Sequence, residues 1–321
     1  MTLSRRFFLS ITTGAALAPL ATAARAAGPL SAVATTGMIA DAAMRVGGEN
    51  VTVQALMGAG VDPHSYRQTR SDIVALTRAD LILRHGLYLE AQMEDVFEKL
   101  AKRGTLAVIG DAFERDQLLA HADYENKFDP HLWMVPGLWR VAVEAVRDAL
   151  IDARPEAKAS FTANAAAYLD EIEALSGYAT TVLATVPEES RVLVTAHDAF
   201  GYFGRAFGYE VIGIQGISTE SEAGLSRIAE LVDLLVSRKI SAAFVESSVS
   251  DRNIRALIEG AGAKGHKVAI GGELFSDAMG QPGSYEGTYI GMIDHNVTTI
   301  ARALGGDTPE RGMSGRLAMA S

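Results

Sequence analysis

Short runs of apolar, often β-branched residues alternate along the chain with longer stretches whose apolar positions recur every three or four residues. A strand buried on both faces reads as such a run, and a helix covering it shows one apolar stripe, so the pattern predicts parallel sheets packed under helices. The expected strands form two sets. Residues 31–35, 51–56, 81–84 and 106–109 make the first, with helical segments such as 39–46 and 90–102 between them. Residues 191–195, 211–214, 242–245 and 267–270 make the second, separated by helices such as 226–238 and 251–259. Four strands in each set predict an α/β protein of two similar lobes.

Between the sets lies a segment rich in Ala, Glu and Leu in which Gly177 is the one glycine. Its apolar residues Phe161, Ala165, Tyr168, Leu169, Ile172 and Leu175 fall at helical spacing. Pro155 suits a first helical turn and Pro187 ends the run. One helix of roughly thirty residues would span ~45 Å, enough to link two lobes along their length; the alternative is a pair of helices broken near Gly177. The expected division is 27–153 for the first lobe, 154–187 for the linking helix and 188–321 for the second lobe.

Residues 1–26 are set apart as an export signal. A basic start, Arg5-Arg6, leads into the apolar run from Phe7 to Ala23, and Ala24-Arg25-Ala26 places small residues at the cleavage positions. The paired arginines followed by Phe and Leu resemble a twin-arginine signal. Cleavage is expected after Ala26 or Ala27, leaving a soluble periplasmic protein.

At 321 residues the chain exceeds one ordinary core, which agrees with two lobes. Its 29 basic residues against 39 acidic ones give a net charge of −10, which repels a phosphate backbone and argues against nucleic acid as a partner. Cysteine is absent, which removes disulfides, thiolate metal sites and a lipid-attachment cysteine together.

The chemistry is carried by a repeated triplet, Asp62-Pro63-His64 and Asp129-Pro130-His131, in a chain with nine prolines and seven histidines. Proline fixes its own φ and holds the preceding residue extended, so each histidine sits on a stiff turn aimed before a metal arrives. The aspartate of each triplet can accept the second imidazole N–H and fix the tautomer. A third histidine, His197, follows the strand 191–195, at the carboxyl end where open α/β sheets present ligand groups. The loop after the last strand offers Asp277, with Glu273 as a competing carboxylate between which the residues alone do not choose. Three imidazoles and one carboxylate make a neutral-to-monoanionic site for a dication. His85 is the strongest competitor among the other histidines, although no proline braces its turn. His121, His266 and His295 read as solvated or hydrogen-bonded surface groups, and Glu246 as a structural acid with a second possibility as an acceptor behind a ligand.

The stretches VTAHDAFGYFGRAFGYEVIGIQGIST, FVESSVSDRNI and GGELFSDAMGQPGSYEGTYIGMIDHN are similar to the zinc- and manganese-specific periplasmic solute-binding proteins of ABC importers, in their TroA-like branch. The resemblance extends over the whole chain after residue 26. It implies two lobes, each a four-stranded parallel sheet with helices, joined by one long helix and holding one Zn²⁺ or Mn²⁺ ion between them. The implied ligands are His64, His131, His197 and Asp277; His85 and Glu273 match no ligand position. The implied partners are a divalent metal ion and an inner-membrane permease, with the binding protein a monomer. Many zinc-uptake members carry a histidine-rich loop where residues 111–128 contain only His121, which leaves manganese import open beside zinc. The rival expectation is a zinc hydrolase, which would need an open coordination position and a general base.

Overall fold

The computed structural model describes residues 28–121 and 124–318. The proposed export signal lies outside the described residues. In the first lobe β1 (Leu30–Ala34), β2 (Val51–Ala55), β3 (Leu81–Arg84) and β4 (Leu106–Val108) form one parallel sheet in the order β2-β1-β3-β4. Ala32 of β1 lies between Val53 and Leu81, so the central strand is buried from both sides. Helix α1 (Gly37–Gly47) packs against this sheet and carries the buried row Met38, Ile39, Ala42, Ala43 and Val46. Helix α2 (Arg70–Arg78) starts with a capping box in which Thr69 and Asp72 satisfy each other's backbone N–H groups. Helix α3 (Glu94–Ala101) precedes β4, and α4 (Pro136–Ala153) begins with a proline at its first turn, where no N–H is needed.

The linking segment folds as one helix, α5 (Lys158–Leu183), preceded by a short 3₁₀ turn at Pro155–Ala157. Its 26 residues reach ~39 Å at ~1.5 Å per residue. Gly177 lies within the helix and does not break it, because the ladder continues through a position whose missing side chain faces open space. Phe161, Ala165, Tyr168, Ile172, Leu175, Ala179 and Val182 are buried along one stripe against α4, α1 and α9 (Tyr289–Ala303).

In the second lobe β5 (Val192–Thr195) pairs with β6 (Glu210–Gly213), and β7 (Ala242–Glu246) pairs with β8 (Ala269–Leu274), all parallel. The expected single four-stranded ladder is therefore resolved into two pairs, with β5 beside β7. Between the two pairs lies a seam without a backbone ladder among the described residues, and a second irregularity lies inside the β7–β8 pair. The β7–β8 register shifts at Ala243/Phe244, where Gly272 takes a φ of +149° that a side chain would oppose. At its carboxyl end the seam is bridged by a side chain, with Glu246 accepting from the backbone N–H of His197. Helices α6 (Gly201–Phe207), α7 (Leu225–Arg238) and α8 (Arg252–Ala263) complete the lobe.

One apolar cluster runs through both lobes. Trp139 of α4 stacks on Tyr289 of α9 with ring centroids 5.5 Å apart, and Phe200, Tyr202 and Leu193 join the same core as Ile39 and Phe161. A shared core of this kind resists wide hinge opening, because separating the lobes would return buried aromatic surface to water.

Candidate metal centre

Every candidate side chain is delivered by the carboxyl end of a strand or by the loop that follows one, the position at which open parallel sheets bind ligands. The loop after β2 carries His64, the long connection after β4 carries His131, His197 follows β5 directly, and Asp277 follows β8. The structure brings these four together, with one potential ligand atom from each lying within 4.8 Å of all the others. His64 Nε2 faces His131 Nε2 at 3.2 Å. Asp277 Oδ1 lies 3.2 Å from His131 Nε2, and Oδ2 lies 3.2 Å from His197 Nε2 and 3.9 Å from His64 Nε2. Four donors held 2.0–2.1 Å from a tetrahedral zinc ion sit about 3.3 Å apart, so the spacing matches a first-row dication. His197 Nε2 and both Asp277 oxygens are buried and complete no hydrogen bond of normal geometry. Unpaired buried polar atoms are costly unless something polar binds them, and here they share a centre.

The supports of the four differ. His131 is fixed by Asp129, whose Oδ1 accepts from the backbone N–H at 2.9 Å and pairs with Nδ1 at 2.7 Å. Asp129 is held in turn: its carbonyl accepts from the Tyr202 hydroxyl at 2.7 Å, and a Cβ at Gly201 would approach Oδ2 to 2.9 Å. A side chain at position 201 would have to push the Asp129 carboxylate aside. His197 is fixed by Glu246, whose Oε2 lies 2.5 Å from Nδ1. Structural capping was the favoured expectation for Glu246. The side chain instead orients an imidazole, because β7 lies beside β5 and ends level with His197. In the first triplet Asp62 Oδ1 accepts from the His64 backbone N–H at 2.9 Å, while Oδ2 accepts from Ser65 Oγ and from Thr219 Oγ1 of the other lobe. The expectation that the triplet aspartate orients its own imidazole therefore holds for Asp129; Asp62 spends its second oxygen across the cleft.

The Asp277 loop is clamped from two sides. Asn296 of α9 accepts from Phe275 N–H and donates to Phe275 C=O at 2.9 and 2.7 Å, and Trp133 of the first lobe donates to Ser276 C=O at 2.7 Å. Glu273, the competing carboxylate, is exposed on β8 and outside the group. His85 is fully buried against Trp133 and Trp139 and also lies outside it. His266 and His295 bond the carbonyls of Ile240 and Glu273. His121, expected at the surface, is buried with its ring 4.7 Å from that of Tyr124, because an isolated bridge between Ala120 and Phe128 folds this connection back on itself.

The electrostatics are strongly asymmetric. Burial lowers His64 to about 3, and the neighbouring His131 and His197 add to this against the pull of Asp277. Burial also disfavours the charged form of His131, yet Asp129 and Asp277 outweigh it and push the group up to about 9. His197 is raised well above its ordinary value because Asp277 and Glu246 overcome burial. Asp277 is held well below the usual carboxylate range; burial opposes this, and His197 and His131 prevail. These shifts favour protons on His131 and His197 beside the carboxylates, and a cation held by the same nitrogens would have to displace them.

Two lobes meeting over one small group of convergent donors define a binding protein for a compact charged ligand. The family model described as zinc-uptake complex component A, periplasmic, matches residues 32–303, and the chain belongs to that family. It is 46% identical to the manganese-binding lipoprotein MntA of Bacillus subtilis (strain 168) over 275 residues, covering 86% of this chain and 90% of that one. It is equally similar, at 46% over 272 residues, to the zinc-binding protein TroA of Treponema pallidum (strain Nichols), covering 85% and 88% of the two chains. The solved structure of the Treponema pallidum periplasmic zinc-binding protein TroA superposes with a TM-score of 0.83 at 45% identity, over 86% of this chain and 99% of that one.

Proposed function

We propose that this protein captures one Zn²⁺ or Mn²⁺ ion in the periplasm and delivers it to an ABC permease of the inner membrane. The observation that carries the reading is the convergence of three buried imidazoles and one buried carboxylate at metal-ligand spacing. Membership of a periplasmic zinc-uptake family and the manganese- and zinc-binding names of two relatives support it. The proposed ligands are His64 and His131 from the first lobe and His197 and Asp277 from the second. We take the lobes as residues 27–153 and 188–321 and the link as 154–187. Four protein donors make up the closed tetrahedral set of a holding site, in contrast to the three protein donors of a catalytic zinc site, so we read the bound ion as cargo and the protein as no enzyme. The protein works as a monomer. Removal of residues 1–26, by the twin-arginine route, leaves it soluble, since no cysteine is present to carry a lipid.

Imidazole nitrogen suits Zn²⁺, Mn²⁺ favours oxygen, and the general affinity order places Zn²⁺ above Mn²⁺ at a nitrogen-rich site. Both Asp277 oxygens face the centre, which leaves scope for a higher coordination number and so for Mn²⁺. The test is competition calorimetry on metal-stripped protein. The expected result is one ion per chain, with Zn²⁺ displacing Mn²⁺ at equal concentration. A stoichiometry other than one, or undiminished binding in His197→Ala, would overturn the site.

A further inference from the structure

The connection between β6 and α7 reaches from the second lobe onto the first at the edge of the metal centre. Gln215 anchors it by donating to Ser221 C=O at 3.1 Å, and Ile217 is buried beneath it. From this anchored loop Thr219 Oγ1 donates to Asp62 Oδ2 at 2.6 Å. Beside it the Glu220 carboxylate accepts from Gln92 Nε2 and from the Tyr124 hydroxyl, the latter at 3.3 Å. Tyr124 also bonds Ser218. Three consecutive residues of one lobe thus hold three side chains of the other. The Thr219 contact has a special address, because Asp62 is the residue whose other oxygen holds the His64 backbone N–H at 2.9 Å.

We infer that Thr219 is a positioning residue that latches the lobes through Asp62 and thereby sets the rate at which bound metal leaves. The inference rests on His64 being one of the ligands, as proposed above. Thr219 is not one of the four donors, and its hydroxyl bonds to Asp62. It acts on a proline-braced turn, Asp62-Pro63-His64, which moves as a unit because Pro63 fixes its backbone. With the latch closed, Asp62 is tied both to the second lobe and to His64, so His64 cannot withdraw from Asp277 without breaking the Thr219 bond. Opening exchanges that bond for water, and closing needs no metal. The latch is closed with or without metal, so it gates passage in both directions and leaves the equilibrium affinity almost untouched. Glu220 is exposed and its partners are partly so, which makes its contribution the smaller one.

The test is a chelator chase of the Zn²⁺-loaded full chain, read by stopped flow, with association measured separately. Thr219→Val keeps the shape and removes the donor. Its dissociation rate is expected to rise about fivefold, the factor that corresponds to a net hydrogen bond of ~1 kcal/mol, with the association rate rising by a similar factor and the affinity changing less than twofold. Thr219→Ser restores the hydroxyl and is expected to restore the parent rate; Tyr124→Phe should accelerate release by less than Thr219→Val. An unchanged dissociation rate in Thr219→Val, or a Thr219→Ser variant as fast as the valine, overturns the latch. His131→Ala run alongside separates the two readings. If it loses Zn²⁺ while Thr219→Val releases at the parent rate, the latch alone falls; if it retains Zn²⁺, the site reading falls and takes the latch with it.

Discussion

The two Asp-Pro-His triplets share three residues and a turn, yet the protein uses them in opposite ways. In Asp129-Pro130-His131 the aspartate is buried and bonded to its own imidazole, and the ring keeps a proton up to about 9. In Asp62-Pro63-His64 the aspartate is half-buried and shared with Thr219, and the ring gives up its proton above about 3. A motif specifies where an imidazole is held. The charge that imidazole carries depends on which carboxylates its two nitrogens meet, and this is a property of the assembled fold.

The largest expected effects come from removing the imidazoles. His131→Ala and His64→Ala should each weaken Zn²⁺ binding about 100-fold or more, since each deletes a donor and leaves Asp277 under-compensated. Chelator competition at neutral pH checks this. Full binding in either variant would remove that triplet from the site and end the comparison.

Removing the carboxylates should separate the triplets more sharply. Asp129→Asn disrupts the partner of His131 Nδ1, and Glu246→Gln does the same for His197; each is expected to cost about 10- to 100-fold in affinity, the usual range for groups that orient a metal-bound imidazole. Asp62→Asn leaves the His64 ring without a lost partner and should cost less than either. Equal losses in Asp62→Asn and Asp129→Asn would show that both aspartates do the same job despite their different bonds.

Most of the architecture was legible because it is written locally. Strand runs, the stripe from Phe161 to Leu175 and the proline braces at 63 and 130 each declare themselves within a few residues. The ligand loops follow from strand ends. What the sequence left open or hid is what depends on distant neighbours: Glu246 meets His197 across 49 residues, Trp133 meets Ser276 across 143, and Thr219 meets Asp62 across 157. Glu246 carried one usable signal, a strand-end acid in the same lobe as His197. Thr219 is an ordinary loop threonine until the lobes come together. The break in the second lobe's ladder was hidden for the same reason, since the periodicity of β5 and β7 does not reveal whether their backbones bond.

The protonation difference gives a prediction of its own. Metal needs both imidazole lone pairs, so at pH 7.5 loading should expel protons from His131 and His197 and none from His64. Raised groups hold their protons below their folded-state values. Affinity should accordingly climb as pH rises toward about 9 and fall on acidification, by roughly tenfold per pH unit for each proton displaced. Calorimetry in buffers of different ionisation enthalpy reads the number directly. Asp129→Asn should lower it, while Asp62→Asn should leave it unchanged; release of no protons at pH 7.5 would contradict the asymmetry.

The smallest effect on metal binding is expected at His85, a buried histidine that belongs to neither triplet. Its ring lies 5.0 Å from Trp133 and stacks at 6.4 Å on Trp139, behind the wall that holds His131. Burial lowers its imidazole to about 3, so it is neutral and contributes no charge to the cleft. His85→Ala should therefore change Zn²⁺ affinity less than about twofold, because every donor and every carboxylate behind a donor remains. The fold should suffer more than the site: emptying an aromatic-walled position is expected to remove about 2 kcal/mol of stability, visible as a lower urea midpoint in the metal-free protein. Should His85→Ala abolish binding at full stability, the contrast between a braced histidine facing the cleft and an unbraced one facing tryptophan would no longer explain which imidazoles bind metal.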